Sequence, residues 1–370
     1  MEGQGMTSVE DAIGSVERPG GRRGLLAGRP LTGPFLRNAP FLCIVALHFA
    51  AALVVHLRTG QPLPVDLLSS LSALFGRFVP VFVLTVAVWH FLRLALVVRP
   101  TRPLRRYAAD AAGLVQPARL VDGAIIMIAV TVLTGSVGFF KAAIPEIDAF
   151  SWDPALARLD RLLHFGTDPW RILFAAIGTP RVVTALNAAY HVWLLVLYFM
   201  IFLAAFSGDG AYRRRFFLGY AVMWLVAGNL AAAGFASGGP VYFDRLGHGD
   251  TFLPLMERLR AFSETSPVWA LRVQDMLWES YVGDGEFLGI SAMPSMHVAT
   301  STFLACAAWS RARWAGLLLS LFAATILVGS VMLGWHYAID GYAGIAFALA
   351  AWWVAGRVPG AADGRRGTAA

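Results

Sequence analysis

Ala292-Met293-Pro294-Ser295-Met296-His297 and Gly334-Trp335-His336-Tyr337-Ala338-Ile339-Asp340 are the two stretches that decide this chain. Each sets a histidine at the border of an apolar run of helical length. The second adds a carboxylate four residues after its histidine. Imidazoles and carboxylates at membrane depth are costly to bury, and where they occur they mark functional sites by default.

The runs around these stretches set the class. The chain has 370 residues, 57% of them hydrophobic and 14% charged, with mean hydropathy +0.62. A soluble domain carries about 25% charged residues, and about 20 apolar residues cross the hydrocarbon core. The expected fold is all-α: a polytopic membrane helical bundle of about eight transmembrane helices. The spans read as Pro40–Leu57, a segment within Leu71–Val98, Val121–Phe140, Val182–Phe206, Phe216–Phe235, Met296–Trp309, Trp314–Leu333 and Tyr337–Ala355. The first 38 residues have no apolar core and no signal-peptide pattern, and read as a disordered tail. Cys43 and Cys306 fall inside apolar runs and read as small core residues, not a disulfide.

The formal charge of +7 does not point to nucleic acid. Arginines collect in the N-terminal tail (Arg18, Arg22, Arg23, Arg29, Arg37), after span two (Arg99, Arg102, Arg105, Arg106, Arg119) and after span four (Arg213, Arg214, Arg215). They recur after span six (Arg311, Arg313) and in the C-terminal tail (Arg357, Arg365, Arg366). With eight spans and a cytoplasmic N-terminus, all five segments are cytoplasmic, as the positive-inside bias requires. The partners implied are the bilayer and anionic headgroups; oligomeric state is left open. The expected location is the plasma (inner) membrane with both termini cytoplasmic.

This topology gathers the chemistry on one face. Lys141, the single lysine among 30 basic residues, follows span three on the outer side. His297 opens span six there, and His336 and Asp340 open span eight there. The outer segments Trp152–Ile177 and Phe252–Trp278 read as amphipathic interfacial helices. They either roof a pocket or only anchor the fold.

His336 and Asp340, four apart, share one face if the backbone is helical. A carboxylate on one imidazole nitrogen fixes the tautomer and frees the other as base or nucleophile. The competing reading is a structural pair holding two helices together. Pro294 suits a helix's first turn and Ser295 can cap it. The free N–H groups there form an anion site, with His297 in the same turn. Lys141 either touches substrate or snorkels to the interface. Gly238-Gly239-Pro240-Val241-Tyr242 is either a plain turn or a close approach to a headgroup. His48, His56, His90 and His191 read as hydrogen-bonded packing residues.

P-S-x-H, then a span pair, then H-x-x-x-D, resembles the type-2 phosphatidic acid phosphatase superfamily, most nearly its inositol phosphorylceramide synthase-like branch. The resemblance covers about Val121–Ala355. It divides the chain into a tail (1–38), a two-helix membrane extension (39–119), a six-helix catalytic membrane domain (120–356) and a cytoplasmic tail (357–370). It implies a phosphohistidine intermediate with no metal and no other cofactor. His336 would be the nucleophile, Asp340 its orienting carboxylate and His297 the general acid. Lys141, Ser295, Gly239 and Tyr242 would bind substrate, a membrane lipid.

Two departures bear on substrate. The family's K-x6-R-P pattern has Asp148 where its arginine stands, and the arginine six residues before the last histidine is Ser330. Without those bidentate clamps, the site suits a singly charged phosphodiester better than a phosphomonoester. That favours moving a phospho-headgroup between lipids over dephosphorylation, unless Arg158, Arg161 or Arg245 swings in. The alternatives are a lipid phosphate phosphatase with water as acceptor, a lipid transporter, a catalytically dead scaffold, and a zinc site built from His297, His336 and Asp340.

Overall fold

The computed structural model describes residues 32–61, 72, 74–114, 116–283 and 289–358, and among them the chain is helical with no strand. Residues 1–31 of the tail expected over 1–38, and residues 359–370 of the tail expected over 357–370, lie outside the described residues. Among the described residues seven helices are long and apolar enough to cross a bilayer: Gly33–Thr59, Gly76–Val98, Pro117–Ile147, Pro180–Ala205, Gly210–Gly234, Arg313–Met332 and Ala338–Ala355. The chain is an integral membrane protein.

The elements run α1 (Thr32–Thr59), α2 (Val79–Arg93, lengthened by π-helical turns at both ends), α3 (Pro103–Leu114), α4 (Pro117–Ala142), α5 (Ile144–Ile147), α6 (Asp153–Leu163) and α7 (Pro169–Ile177). They continue as α8 (Pro180–Ala205), α9 (Gly210–Leu225, prolonged by Val226–Ala231 and Ala232–Gly234), α10 (Leu253–Ser263), α11 (Ala270–Val282), α12 (Met296–Trp309), α13 (Arg313–Met332) and α14 (Ala338–Ala355). Helix α12 has the bounds expected for the sixth span but only 14 residues, about 21 Å at 1.5 Å per residue. It need not match the bilayer, because α13, α14, α9 and α8 enclose it and Val298, Phe303, Leu304 and Ala307 are fully buried.

The N-terminal pair is not detached from this bundle. Helix α1 begins at Thr32, so residues 32–38 are helix rather than tail, and it carries Pro40 inside it. It packs along α4 and α9. The His48 ring lies 2.8 Å from Ser136 Oγ and 3.2 Å from Asn229 Oδ1. Helix α2 leans on α8 through Phe78–Tyr198 and Phe82–Phe202 stacking. His56, His90 and His191 are hydrogen-bonded too. Cys43 is exposed instead of buried in the core, and Cys306 is partly buried; neither forms a disulfide among the described residues.

Contacts between basic residues and distant segments place the arginine-rich segments at one end of the bundle. Arg37 and Arg213 both bind the buried Asp122 at 3.1 Å. Arg119 donates to Phe206 O, Arg215 to Trp352 O, and Arg311 to Asp209. The N-terminal ends of α12 and α14 are at the opposite end. There α6, α7, α10 and α11 form a cap sharing one apolar cluster with the bundle, including Phe150, Leu156, Trp170, Leu255, Met256, Leu259 and Tyr337. The amphipathic segments Trp152–Ile177 and Phe252–Trp278 are thus packed helices seated on the bundle.

Candidate active site

Helix α13 ends at Met332, and a five-residue strap, 333–337, leads to α14. Gly334 turns the chain at φ +75°. The Ser330 carbonyl accepts from both Trp335 N (3.0 Å) and His336 N (3.2 Å), fixing the strap to the helix it has just left. His336 therefore stands just outside α14, not on a helical face with Asp340 as the four-residue spacing suggests. The two still meet: Nδ1 of His336 lies 3.5 Å from Asp340 Oδ2.

The nearer partner of that nitrogen is a carbonyl, Ala292 O, at 2.8 Å. A carbonyl only accepts, so Nδ1 carries the hydrogen. The lone pair of the neutral ring then sits on Nε2. Asp340 Oδ2 also accepts the Tyr337 N–H at 2.9 Å, closing the first turn of α14, while Oδ1 is buried with no protein partner among the described residues. His336 is 6% exposed and Asp340 fully buried.

Helix α12 brings the second imidazole. Ser295 is its N-cap, buried, with Oγ accepting from Val298 N and its own N–H bonded to Asp340 O at 2.9 Å. The helices cross closely at Gly344, where a Cβ would lie 2.6 Å from Ser295 O. His297, one position into α12, is clasped by two rings of α8: Tyr190 stacks at 4.4 Å and Trp193 lies at 4.1 Å, centroid to centroid. The ring centroids of His297 and His336 are 6.4 Å apart, tilted by 57°. Attack geometry needs about 3–3.5 Å between reacting atoms and a general acid within about 2.6–3.2 Å of the group it protonates. The two rings are thus near neighbours contributed by different helices, His297 by α12 and His336 by the strap before α14.

Two cap carboxylates, not singled out from sequence, hold the strap. Asp153 accepts from Gly238 N (2.7 Å), Gly239 N (2.9 Å) and the Tyr337 hydroxyl (2.7 Å). Asp160 accepts from Ala338 N and Ile339 N, both at 3.1 Å, capping α14 from outside. Burial pushes both carboxyl groups above the usual aspartate range, against the pull of these hydrogen bonds. Burial, then the Asp153 charge, raises the Tyr337 hydroxyl far above its usual range. The available signal was a pair of aspartates seven residues apart, on one face with Leu156 of an amphipathic helix.

The remaining expected residues divide. Lys141, at the last turn of α4, lies within electrostatic range of His297 and packs its stem on Gly289. Gly239 belongs to the backing: at φ +88° its position admits no Cβ, which would lie 2.5 Å from Trp335 O. Tyr242 is buried beneath the cap with its hydroxyl bonded to Gln274 O at 2.9 Å, and Gln274 in turn bonds Leu333 O. It supports the strap from below. Ser330 and Asp148 bring no cation. Arg161 is held by Asp168 and Arg245 by Asp275. Among the described residues no three His, Cys, Asp or Glu side chains are grouped to hold a metal ion, so the zinc reading lacks a donor set.

No curated protein and no solved structure matches the chain. A family model described as PAP2 superfamily matches residues 154–354. The match begins at the cap and takes in both histidines and Asp340; Lys141 precedes it. It spans more than half of the sequence, and the chain belongs to the PAP2 superfamily.

Proposed function

We propose that this protein is a membrane phosphotransferase that moves a phospho-headgroup from one lipid to another, as inositol phosphorylceramide synthases do, through a phosphohistidine at His336. Membership of the superfamily makes it a phosphatase or phosphotransferase of lipid-like substrates. The observation that carries the finer reading is the pairing of two imidazoles 6.4 Å apart, one with its Nδ1 committed to Ala292 O.

Nε2 of His336 attacks phosphorus as the bond to the leaving alcohol breaks, and His297 delivers a proton to that oxygen. The Asp340 carboxylate stabilises the positive charge growing on the His336 ring. In the second half, His297 takes the proton of an acceptor hydroxyl, its oxygen attacks phosphorus, and the P–N bond returns its electrons to Nε2. Lys141 is the cation that faces the phosphate oxygens. Ser295 sets the first turn of α12, and Gly239 and Tyr242 set the strap. Under the arginine topology this chemistry faces the outer leaflet.

The charge inventory favours a diester. With the arginine positions of the family filled by Asp148 and Ser330, one lysine suits one negative charge. The test is purified enzyme with phospholipid radiolabelled in its headgroup phosphate, offered lipid alcohols and water. Label moving to a lipid acceptor, and an acid-labile protein-bound label lost in His336→Ala, is the expected result. Release only to water would replace the transferase with the phosphatase. Unchanged turnover by His336→Ala would end the mechanism.

A further inference from the structure

The end of the bundle remote from the histidines carries a cavity of about 270 Å³, lined by Asp209, Tyr212, Arg214, Arg215, Ser310 and Arg311, among others. It lies where α9 begins and where α12 and α14 end, so the length of α12 separates it from His297. Nothing in the chemistry above uses it.

Its charge is unbalanced. Arg311 pairs with Asp209 at 2.9 Å. Arg215 directs Nε and Nη2 to Trp352 O and lies over the Trp352 ring at 4.1 Å, with its third nitrogen not engaged there. Arg214 reaches Val358 O through Nη2, and its Nε is buried with no protein partner among the described residues. Among the described lining residues, three guanidiniums against one carboxylate leave two positive charges around a space large enough for a phosphate group. Gly356 keeps one wall open: a Cβ there would lie 2.8 Å from Arg215 Cζ.

The depth of the cavity points to the source of the anion. Trp309, Trp314 and Trp353 are exposed at this same end, and exposed tryptophans collect at headgroup level. Basic pockets between transmembrane helices at that level take anionic headgroups. We propose that this basin binds the phosphate group of an anionic lipid in the leaflet opposite the catalytic site. The inference does not rest on the transferase reading.

The experiment is native mass spectrometry of the full-length protein in detergent, titrated with short-chain phosphatidylglycerol, short-chain phosphatidylcholine and inorganic phosphate. Lys141→Ala, which removes the cation assigned to phosphate in the catalytic site, is titrated beside the wild type, and binding common to both is read as the basin's. Phosphatidylglycerol is expected to saturate one such site in both proteins, with phosphatidylcholine about tenfold weaker or more. Arg214→Gln combined with Arg311→Gln, which removes no catalytic group, is expected to weaken that site about tenfold or more and to leave turnover and melting temperature in place. Gly356→Leu, which fills the mouth, should act likewise while keeping every arginine. Displacement of the lipid by equimolar inorganic phosphate would assign the site to soluble phosphate. Equal binding of the two lipids, or a double arginine variant that binds as the wild type does, overturns the proposal.

Discussion

Tyr337→Phe tests the way the strap is held. The substitution removes one oxygen. The ring stays packed near Phe252, and no donor is left stranded. What is lost is a 2.7 Å hydrogen bond to Asp153 Oδ1, a charged acceptor with no exposed surface. Hydrogen bonds to charged groups contribute about 1.5–3 kcal/mol. Asp153 keeps Gly238 N and Gly239 N, so the loss is confined to one of three bonds. The residue before Tyr337 is His336, and a shift of about 1 Å in a reacting group can cost 10²-fold in rate. The expectation is a stability loss of about 2 kcal/mol and a fall in kcat of about tenfold or more, with KM little changed.

Thermal melting in one fixed detergent, with kcat and KM on one lipid pair, measures both. Asp153→Asn is the companion: its amide presents hydrogens to Gly238 N–H or Gly239 N–H, so it should lose at least as much. The pH dependence separates this clamp from generic packing. Asp153 is raised above its ordinary 3.8 by burial, so between that value and its folded value the native chain holds a proton the unfolded chain has released. Stability from this group therefore falls as pH rises through that window. Removing the Tyr337 hydroxyl, which pulls the value down, widens the window upward. If Tyr337→Phe melts and turns over as wild type at every pH, the clamp does not hold the strap and the reasoning fails.

Two further outcomes follow from the geometry. His297→Ala should slow transfer from a natural lipid by about 10²–10⁴-fold, the usual contribution of general acid–base catalysis; with a p-nitrophenyl phosphodiester, whose leaving group needs no proton, the first-step burst should be nearly preserved. An equal loss on both substrates would remove His297 from the acid role. Gly239→Ala puts a methyl 2.5 Å from Trp335 O, at a φ of +88°, and should lower both yield and melting temperature, whereas Gly247→Ala, with no neighbour within 4 Å, should show only the cost of its φ; equal effects would count against close contact.

Much of this arrangement was legible in the residues. Long apolar runs announce helices because lipid leaves a backbone no other way to satisfy its hydrogen bonds, and the arginine clusters announce which ends lie together. Met296–Trp309 could be bounded because Ser295 caps one end and Ser310-Arg311 breaks the other. The pairing of His336 with Asp340 was visible but its geometry was not. The spacing fits a helix face, and only Gly334 hints that the chain is still turning there. Asp153 and Asp160 were the harder case. Their partners are mostly backbone N–H groups 85 and 178 residues away, and a backbone N–H leaves no trace in sequence. Tyr242 and Gly239, expected to bind substrate, pack against the strap and its support instead: Gly239 against Trp335 O and Tyr242 through Gln274.

The same backing bears on the choice between a lipid acceptor and water. A phosphohistidine exposed to bulk water hydrolyses to a phosphatase product; one that is shielded waits for an alcohol. His336 is 6% exposed, and its strap is covered by α10 and α11 through Met256 beside Gly334 and Gln274 on Leu333 O. Closing a site against water also strengthens each charge within it, which raises the cost of a second negative charge unless a second cation accompanies it. Of the three cap arginines that could replace the missing clamps, Arg161 and Arg245 are already bound to Asp168 and Asp275, and Arg158 is exposed. In the proposed mechanism a dianionic monoester brings two charges to Lys141, with Arg158 the one cap arginine of the three not seen bound to a carboxylate among the described residues, whereas a diester brings one charge to one lysine and leaves an alcohol for His297 to protonate. Shielding and charge thus favour the same substrate, and a variant that frees Arg245 by Asp275→Asn should shift the enzyme toward monoesters if charge is the deciding quantity; an unchanged monoester-to-diester ratio would place selection in shape instead.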